Sequence, residues 1–337
     1  MKALQLIAPN QLEFTEMPMP EPKKGEVIVK MAYAPVNPSD LAFLTGQYGI
    51  KKPYPVVPGL EGSGTVVESG GGILASLWQG KRVACSPPND GDGTWAEYMR
   101  VPAAQCIPLN KNVSLEQGSM LFVNPLTALG FIKRIKEGNH PAVVLTAAAS
   151  ALCKMVLHIA KQEGIKVIGI VRRQEQADEL ISLGIDKALI SDSPDFFKEL
   201  KETAKSLKAT IAFDAVGGGD LPAQILHNMP PKSRWIIYGR LEYEKPGLLI
   251  PEDFIFNEYH IEGYWLSKEV TRKSLFQTII DTRKVQKVLG DGFETNINRI
   301  VKPEEVFTAL ADYQQNMSAG KMLIGFWGRC FFVLIYW

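Results

Sequence analysis

The hydrophobic pattern changes its period near residue 125. Before that point, short runs of β-branched and aromatic residues alternate with turns, as in residues 27–33 and 64–68, and such runs are typical of strands. Further strands are predicted at 80–84 and 95–101. Prolines punctuate the whole stretch, and proline is excluded from helix interiors and central strands. The pattern therefore predicts a loop-rich, partly closed β domain.

After residue 125, short apolar runs are followed by stretches with helical spacing. The run 142–147 has the composition of a buried parallel strand, and Leu152, Met155 and Ile159 share one face of the helix predicted after it. The other elements predicted in this part are strands at 166–171, 187–191, 210–215 and 234–238, and helices at 174–183, about 195–207 and about 220–228. Strands that alternate with helices predict an α/β fold, a doubly wound parallel sheet of the dinucleotide-binding type.

These two patterns predict two domains, as expected for a chain of 337 residues. We assign residues 1–123 and 267–337 to the β-rich domain and residues 124–266 to the doubly wound domain. The last part is predicted to contain a long helix at about 270–289, a short helix at 303–316 and a strand at 321–326.

Composition and charge exclude several classes of protein. Lysine and arginine number 37 against 36 acidic residues, a net charge of +1, whereas a nucleic-acid or membrane-surface role needs a basic excess. No run reaches the roughly 20 apolar residues of a membrane helix, and the N-terminus has the features of neither a signal nor a transit peptide. We therefore expect no nucleic-acid partner, no transmembrane segment and a cytoplasmic location, with mitochondrial import by another signal as the alternative.

Seven short motifs follow one another in an order that points to a known superfamily. They are VNPSD (36–40), PGLEGSG (58–64), GTWAEY (93–98), NPLTA (124–128), FDAVGG (213–218), YG (238–239) and SAGK (318–321). Together they resemble the medium-chain dehydrogenase/reductase superfamily over about residues 1–326. The resemblance implies a GroES-like β-rich catalytic domain, a Rossmann NADP-binding domain and a C-terminal return to the first domain.

The same motifs indicate the zinc-free branch of that superfamily. The position of the first zinc-binding cysteine falls in NPSD (37–40), and the Gly-His-Glu of the zinc enzymes corresponds here to Gly59-Leu60-Glu61. Leucine cannot bind zinc, which needs nitrogen, sulfur or carboxylate ligands. The four cysteines form no CxxC pair, and the four histidines form no HExxH motif. We therefore predict that no metal is bound.

Within this branch, the resemblance implies transfer of hydride from NADPH to a conjugated carbonyl. The VNPSD segment followed by GQYG (46–49) is more similar to 2-enoyl thioester reductases of fatty-acid synthesis than to quinone reductases, the second candidate. In the enoyl reductases the tyrosine of this segment is the proposed proton donor, which carries over to Tyr48, with the Asn37 amide near it. A positioned general acid is typically worth ~10²–10⁴-fold in rate. The alternatives are a turn-packing tyrosine and an Asn-Pro turn.

The turn expected to bind the cofactor pyrophosphate contains no glycine. Such turns are usually glycine-rich, because the backbone must approach the phosphates closely, but residues 146–153 are TAAASALC. The small residues expected to contact the phosphates are Ala148, Ala149, Ser150 and Ala151. Cys153 stands where the last glycine is expected, and overpacking at such a contact typically costs ~1–3 kcal/mol. The sequence leaves open whether the turn binds a dinucleotide in altered form, weakly or not at all.

Two arginines follow the second strand of the doubly wound domain. An NAD-specific site carries an acidic residue there, whereas the forked donors of Arg172 and Arg173 suit a 2′-phosphate. The sequence therefore favours NADPH over NADH, with a solvent-exposed pair as the alternative. By resemblance, the remaining cofactor contacts are Asn124, Thr127, Tyr238, Gly239, Tyr264, Trp265, Leu266 and Lys321. A core role is the alternative for the aromatic residues among them.

The C-terminal tail, residues 327–337, is apolar and strongly β-prone. This composition indicates either an added strand that is buried in a dimer or larger assembly, or a hydrophobic anchor on a membrane complex. The remaining alternative is that the tail is an artefact of the sequence. Together with the glycine-free turn, it motivates a non-enzyme alternative, in which the chain is an accessory subunit that keeps the Rossmann fold as structure. A homodimer is expected by resemblance.

Overall fold

The structure is a computed structural model that describes residues 1–247, 249–271, 281, 284–287 and 293–326. The chain divides into two compact units, which are described separately. The first consists of Met1–Val123 and the part that starts at Glu294, and the second consists of Asn124–Phe293. The sequence places the second boundary after residue 266, so the two divisions differ in segment 267–293. The predicted helix at 270–289 lies largely outside the described residues, and the tail at 327–337 lies wholly outside them.

Short strands and short helices make up the first unit. The strands are β1 (Lys2–Ala8), β2 (Gln11–Glu16), β3 (Glu26–Pro35), β4 (Gly62–Ser69), β5 (Arg82–Cys85), β6 (Tyr98–Pro102), β7 (Cys106–Pro108), β14 (Ile297–Val301) and β15 (Lys321–Gly325). The helices are α1 (Pro38–Leu44), α2 (Ile73–Trp78), α3 (Leu115–Gly118) and α11 (Val306–Gln315), with 3₁₀ turns at Ala103–Gln105, Pro303–Glu305 and Met317–Ala319. The predicted strands at 80–84 and 95–101 begin two or three residues later, at Arg82 and Tyr98.

Seven strands of the first unit form one sheet around its core. Their order is β14-β15-β3-β4-β5-β7, with β6 paired to β3. Pairs are antiparallel except β14 with β15, and β1 and β2 form a separate hairpin. Strand β15 pairs with the end of β3, with Leu323 opposite Pro35. This register brings Lys321 close to the segment that follows β3, where Asn37 lies.

The second unit alternates strands and helices. The strands are β8 (Ala142–Leu145), β9 (Lys166–Val171), β10 (Lys187–Ile190), β11 (Ala209–Asp214), β12 (Arg234–Ile237) and β13 (His260–Gly263). The helices are α4 (Val123–Glu137), α5 (Ala151–Gln162), α6 (Gln174–Ser182), α7 (Phe196–Leu207), α8 (Leu221–His227), α9 (Pro251–Phe256) and α10 (Leu266–Thr271).

The strands of the second unit form one parallel sheet in the order β10-β9-β8-β11-β12-β13. Separate apolar cores lie on its two faces, which confirms the predicted doubly wound fold. In a parallel sheet all strands end at the same edge, and ligands bind outside that edge. None of the helices that the structure describes combines the length and apolarity needed to cross a lipid bilayer.

Candidate active site

Four polar side chains of the first unit are buried together. Asn37, Asp40, Glu61 and Lys321 have exposed fractions of 1%, 0%, 0% and 4%, and we call them the Asn37 cluster. Asn37 directly precedes α1 and Asp40 lies in the first turn of that helix, whereas Glu61 precedes β4 and Lys321 starts β15. Charged groups are costly to bury unless they are paired and hydrogen-bonded, so the contacts within this cluster decide whether the fold tolerates it.

The Asn37 amide lies at the centre of the cluster. Its Nδ2 donates to Glu61 Oε1 at 3.0 Å, and its Oδ1 accepts a hydrogen bond from Lys321 Nζ. Because an ammonium only donates and a carboxylate only accepts, these partners fix the orientation of the amide. The main-chain N–H of Asn37 donates to Asp40 Oδ2 at 2.8 Å. Both ends of the predicted active-site amide are therefore engaged by charged neighbours.

The two carboxylates also hold main-chain N–H groups. Asp40 Oδ1 accepts from Leu60 N at 3.0 Å, and Glu61 Oε2 accepts from Phe122 N and Val123 N, both at 2.9 Å. Burial raises the pKa of Asp40 to about 7, and the neighbouring Glu61 adds to the rise. Burial also raises the pKa of Glu61. It lowers the pKa of Lys321, against the opposing effect of the carboxylates.

Tyr48 lies in the loop that follows α1. Its main-chain N–H donates to the carbonyl of Ala42 at 3.0 Å, and its partly buried ring packs against the core of the first unit. Asn37 directly precedes the same helix. Helix α1 therefore connects the two residues that the sequence predicts to be catalytic, and their roles stay predictions.

In the second unit, the predicted phosphate-binding turn joins β8 to α5. Ser150 is the N-cap of α5, and its Oγ accepts from Cys153 N at 3.3 Å. The first turn of any helix leaves N–H groups without intrahelical partners, and these groups attract anions. Ala148, Ala149 and Ala151 present only methyl groups around this helix start. Ala148 and Ala149 are 1% and 3% exposed, so these small side chains replace glycine by letting the turn pack closely on the sheet.

Two features explain how the turn forms without glycine. Ala147 takes the left-handed conformation, with φ of 47°, in which an alanine is strained and a glycine is not. The close approach to the sheet uses a glycine of the neighbouring strand, because a Cβ added at Gly169 would lie 2.8 Å from the Ala148 Cβ. The glycine needed for packing is therefore in β9 and not in the turn.

Cys153 fills the position where the last glycine is expected. Its side chain is buried, and Sγ lies 3.7 Å from the carbonyl oxygen of Thr146 and 3.6 Å from Tyr238 Oη. Burial raises the pKa of this thiol. The thiol therefore makes two polar contacts between the turn, α5 and the end of β12.

Asp214 fixes the same turn from the next strand. Its Oδ1 accepts from Thr146 Oγ1 at 2.7 Å, and its two oxygens accept from Val216 N at 2.9 Å and Gly217 N at 3.0 Å. Thr146 Oγ1 in turn accepts from Ala215 N at 2.9 Å. Burial raises the pKa of Asp214. These bonds hold the carboxyl ends of β8 and β11 in one arrangement.

Arg172 and Arg173 directly follow β9 and are exposed. The main-chain N–H groups of both donate to Gln176 Oε1 at 3.3 Å, so this part of the backbone is anchored to α6. Since β8 and β9 are parallel neighbours, the arginines and the turn lie at the same sheet edge. Dinucleotides bind outside this edge in doubly wound folds, and the roles of the two arginines stay predictions.

The other predicted cofactor contacts fall into three groups. Asn124 and Thr127 are the second and fifth residues of α4, and Tyr238 and Gly239 follow β12. Tyr264 is 6% exposed and packs edge-on against Phe131, with ring centroids 5.0 Å apart. The adjoining Trp265 and Leu266 are half-buried. Lys321 lies in the Asn37 cluster of the first unit.

Sequence reasoning missed the parts played by Asp40, Glu61, Thr146 and Asp214. All four are buried. Thr146 and Asp214 directly follow apolar runs, so a polar residue at the end of a buried strand was the available signal for these two. Among the described residues, no three of His, Cys, Asp and Glu are grouped to hold a metal ion. Leu60 contributes its N–H to the cluster and no metal ligand. The absence of metal stays a prediction.

Comparison with known families accounts for both units. The family described as the alcohol dehydrogenase GroES-like domain matches residues 23–111, and the family described as zinc-binding dehydrogenase matches residues 151–282. A GroES-like sheet followed by a doubly wound parallel sheet defines a class of dehydrogenases and reductases. The chain belongs to the medium-chain dehydrogenase/reductase superfamily.

Individual relatives point to two kinds of reductase. The mitochondrial enoyl-[acyl-carrier-protein] reductase of Arabidopsis thaliana is 31% identical over 256 residues, which cover 74% of this chain and 67% of the relative. The enzyme of the same name from Bos taurus is 28% identical, over 72% of this chain and 65% of the relative. The match thus spans about two thirds of the curated relatives. A solved structure named for an NADPH:quinone reductase of Mesorhizobium loti is 36% identical, covers 96% of this chain and 98% of that chain, and has a TM-score of 0.88.

Proposed function

We propose that this protein is an NADPH-dependent reductase that reduces the conjugated double bond of a trans-2-enoyl thioester. The observation that carries the proposal is the shared sheet edge of the second unit. There the start of α5 and the turn that precedes it would bind the pyrophosphate, and the neighbouring Arg172 and Arg173 would bind the 2′-phosphate. Bound NADPH would supply the hydride.

The residues of the first unit would act on the substrate. Hydride addition at Cβ of an enoyl thioester leaves an enolate, and Cα must then take up a proton. Tyr48 is the proposed donor of that proton, a role typically worth ~10²–10⁴-fold. Asn37 would orient the tyrosine segment through α1. The names of the curated relatives support the enoyl thioester as substrate.

Quinone reduction is the second candidate, because the relative from Mesorhizobium loti is more similar to this chain and is covered almost completely. Reduction of a quinone needs no donor at a carbon atom, so it does not depend on Tyr48 in the same way. The test is NADPH oxidation by the full chain with a short trans-2-enoyl-CoA and with 1,4-benzoquinone. Faster turnover of the thioester supports the proposal, and turnover of the quinone alone contradicts it. Turnover of neither, without NADPH binding, would favour the accessory-subunit hypothesis.

The sheet edge at β13 supports a homodimer. β13 is the last strand in the order of the six-stranded sheet in the described part of the chain. Ile255 and Phe256 on α9 are 67% and 76% exposed, and Ile261 on β13 is 37% exposed. An exposed edge with large apolar side chains favours pairing with a second copy. Light scattering of the full chain tests this, with Phe256→Ser as the variant expected to be monomeric.

Of the two predicted compartments, the names of the curated relatives favour the mitochondrial one, which subcellular fractionation would test.

A further inference from the structure

Glu61 links the Asn37 amide to the start of helix α4. One carboxylate oxygen, Oε1, accepts from Asn37 Nδ2 at 3.0 Å. The other, Oε2, accepts from the N–H groups of Phe122 and Val123 at 2.9 Å each. Helix α4 begins at Val123, and N–H groups at a helix start have no partner within the helix. A negative charge there is also favourable to the helix dipole.

Helix α4 also carries Asn124 and Thr127, its second and fifth residues, which are two predicted cofactor contacts. We infer that Glu61 is a positioning residue for the reduction, which fixes the start of α4, and with it Asn124 and Thr127, while it holds the Asn37 amide. This inference rests on the proposed function, because it concerns the placement of residues that would contact NADPH. Glu61 itself is fully buried and acts only through these neighbours.

The direction of each hydrogen bond makes the inference testable. Every partner of Glu61 in the contacts above is a donor, so the residue must accept on both oxygens. In Glu61→Gln one oxygen becomes an NH₂ group, which then faces another donor. Asn37 cannot turn to relieve this, because Lys321 needs the Asn37 oxygen as acceptor. A buried donor without an acceptor is costly.

The double variant Glu61→Gln with Lys321→Gln removes this conflict. A glutamine at 321 can accept as well as donate, so Asn37 is free to turn its amide. The glutamine at 61 then donates to the turned Asn37, and its oxygen accepts from Phe122 and Val123. The double variant is therefore expected to restore the order at the start of α4 that the single variant loses, an effect that a simple loss of charge would not produce.

The experiment compares wild type, E61Q, K321Q, the double variant and the control Glu68→Gln, which replaces an exposed glutamate of β4. It measures hydrogen exchange of the amides in residues 122–127, the dissociation constant of NADPH, and kcat/KM. We expect E61Q to speed exchange in 122–127 about tenfold, weaken NADPH binding, and lower kcat/KM about tenfold to a hundredfold. The double variant should recover most of the lost protection in 122–127, the readout that depends on the hydrogen-bonded link alone, because Lys321 is itself a predicted cofactor contact and its replacement also acts on NADPH binding and kcat/KM.

Two results would overturn the inference while the proposed function stands. One is that the wild type binds NADPH, while E61Q and E68Q do not differ in hydrogen exchange, NADPH binding or kcat/KM. The other is a double variant in which residues 122–127 exchange at least as fast as in E61Q, which would exclude the hydrogen-bonded link. If E61Q does not fold, the double variant decides alone, since it must fold and match wild type in 122–127. A wild type that does not bind NADPH overturns the proposed function and this role together.

Discussion

The Asn37 cluster and the turn before α5 solve a similar problem by different means. In the cluster, charged side chains from distant parts of the first unit are buried and fixed by one another, with Lys321 and Asn37 separated by 284 positions. In the turn, small side chains allow close packing on the sheet, and one alanine takes a strained conformation, with φ of 47° at Ala147. Substitutions in the first region should therefore act through charge and hydrogen-bond direction, and those in the second through backbone conformation and cofactor binding.

The largest expected effect tests the chemistry near the cluster. Replacing Tyr48 by phenylalanine removes the proposed proton donor, so kcat for an enoyl thioester should fall ~10²–10⁴-fold. NADPH binding should stay unchanged, because the turn and the arginines are not altered. Steady-state kinetics and fluorescence titration measure the two quantities. Tyr54→Phe, which alters an exposed tyrosine of the following loop, is the control, and equal turnover in both variants would remove Tyr48 from the mechanism.

A second prediction concerns the pH dependence of the cluster. Burial raises the pKa of Asp40 from 3.8 to about 7, so the folded protein holds this proton more tightly than the unfolded chain. The site therefore contributes stability below about pH 4 that is lost as the pH rises through 7. The difference in free energy of unfolding between wild type and Asp40→Asn should fall by on the order of 4 kcal/mol between pH 4 and 7.

Urea unfolding at several pH values measures this difference. Asp312→Asn, which removes a carboxylate that is 74% exposed in the same unit, is the matched control. A difference for Asp40→Asn that stays constant or rises over the same pH range would contradict the assignment.

The arginine pair should decide which nicotinamide cofactor is bound. Hydrogen bonds to charged groups contribute about 1.5–3 kcal/mol, so replacing Arg172 and Arg173 by glutamine should weaken NADPH binding about 10- to 100-fold. NADH binding should change little, because NADH lacks the 2′-phosphate. Titration of both cofactors measures the ratio. The double variant Lys201→Gln with Lys205→Gln removes two exposed positive charges from α7, and an equal loss there would point to a general effect of charge.

The smallest effect is expected in the turn itself. Glycine at position 147 would relieve the strain of the left-handed alanine, about 1–2 kcal/mol, and would add about 0.5–1 kcal/mol of backbone entropy cost. Ala147→Gly should therefore raise the free energy of unfolding by up to about 1.5 kcal/mol. Ala149→Gly, two residues later and without a positive φ, should lower it. A loss of stability in Ala147→Gly would contradict the argument from strain.

The doubly wound unit could be predicted from the sequence because its strands and helices alternate with clear periods. The first unit was less predictable, since helices α1 and α2 contain only 7 and 6 residues and show no helical period. The strand predicted from residue 80 starts later because Gly80 has a φ of 73°, which ends the turn before β5. Local patterns of this kind determine single elements and their approximate ends.

The candidate site also has a part that the sequence predicts and a part that it does not. The turn and the pair Arg172 and Arg173 lie at one sheet edge because β8 and β9 are parallel neighbours, an order that the sequence implies. The Asn37 cluster could not be predicted, because its members meet only through the register of β15 on β3. Cys153 was expected to overpack the helix, but no local pattern reveals its contacts with Thr146 and Tyr238. Long-range contacts of single side chains are therefore what the structure adds.

The most direct test of the account is titration of the purified full chain with NADPH and NADH, followed by nicotinamide fluorescence and thermal shift. The account predicts micromolar binding of NADPH, at least about tenfold tighter than that of NADH, as two guanidiniums at a 2′-phosphate require. Binding of neither cofactor would contradict it and would show that the glycine-free turn no longer holds a dinucleotide. Tighter binding of NADH would contradict the role of Arg172 and Arg173.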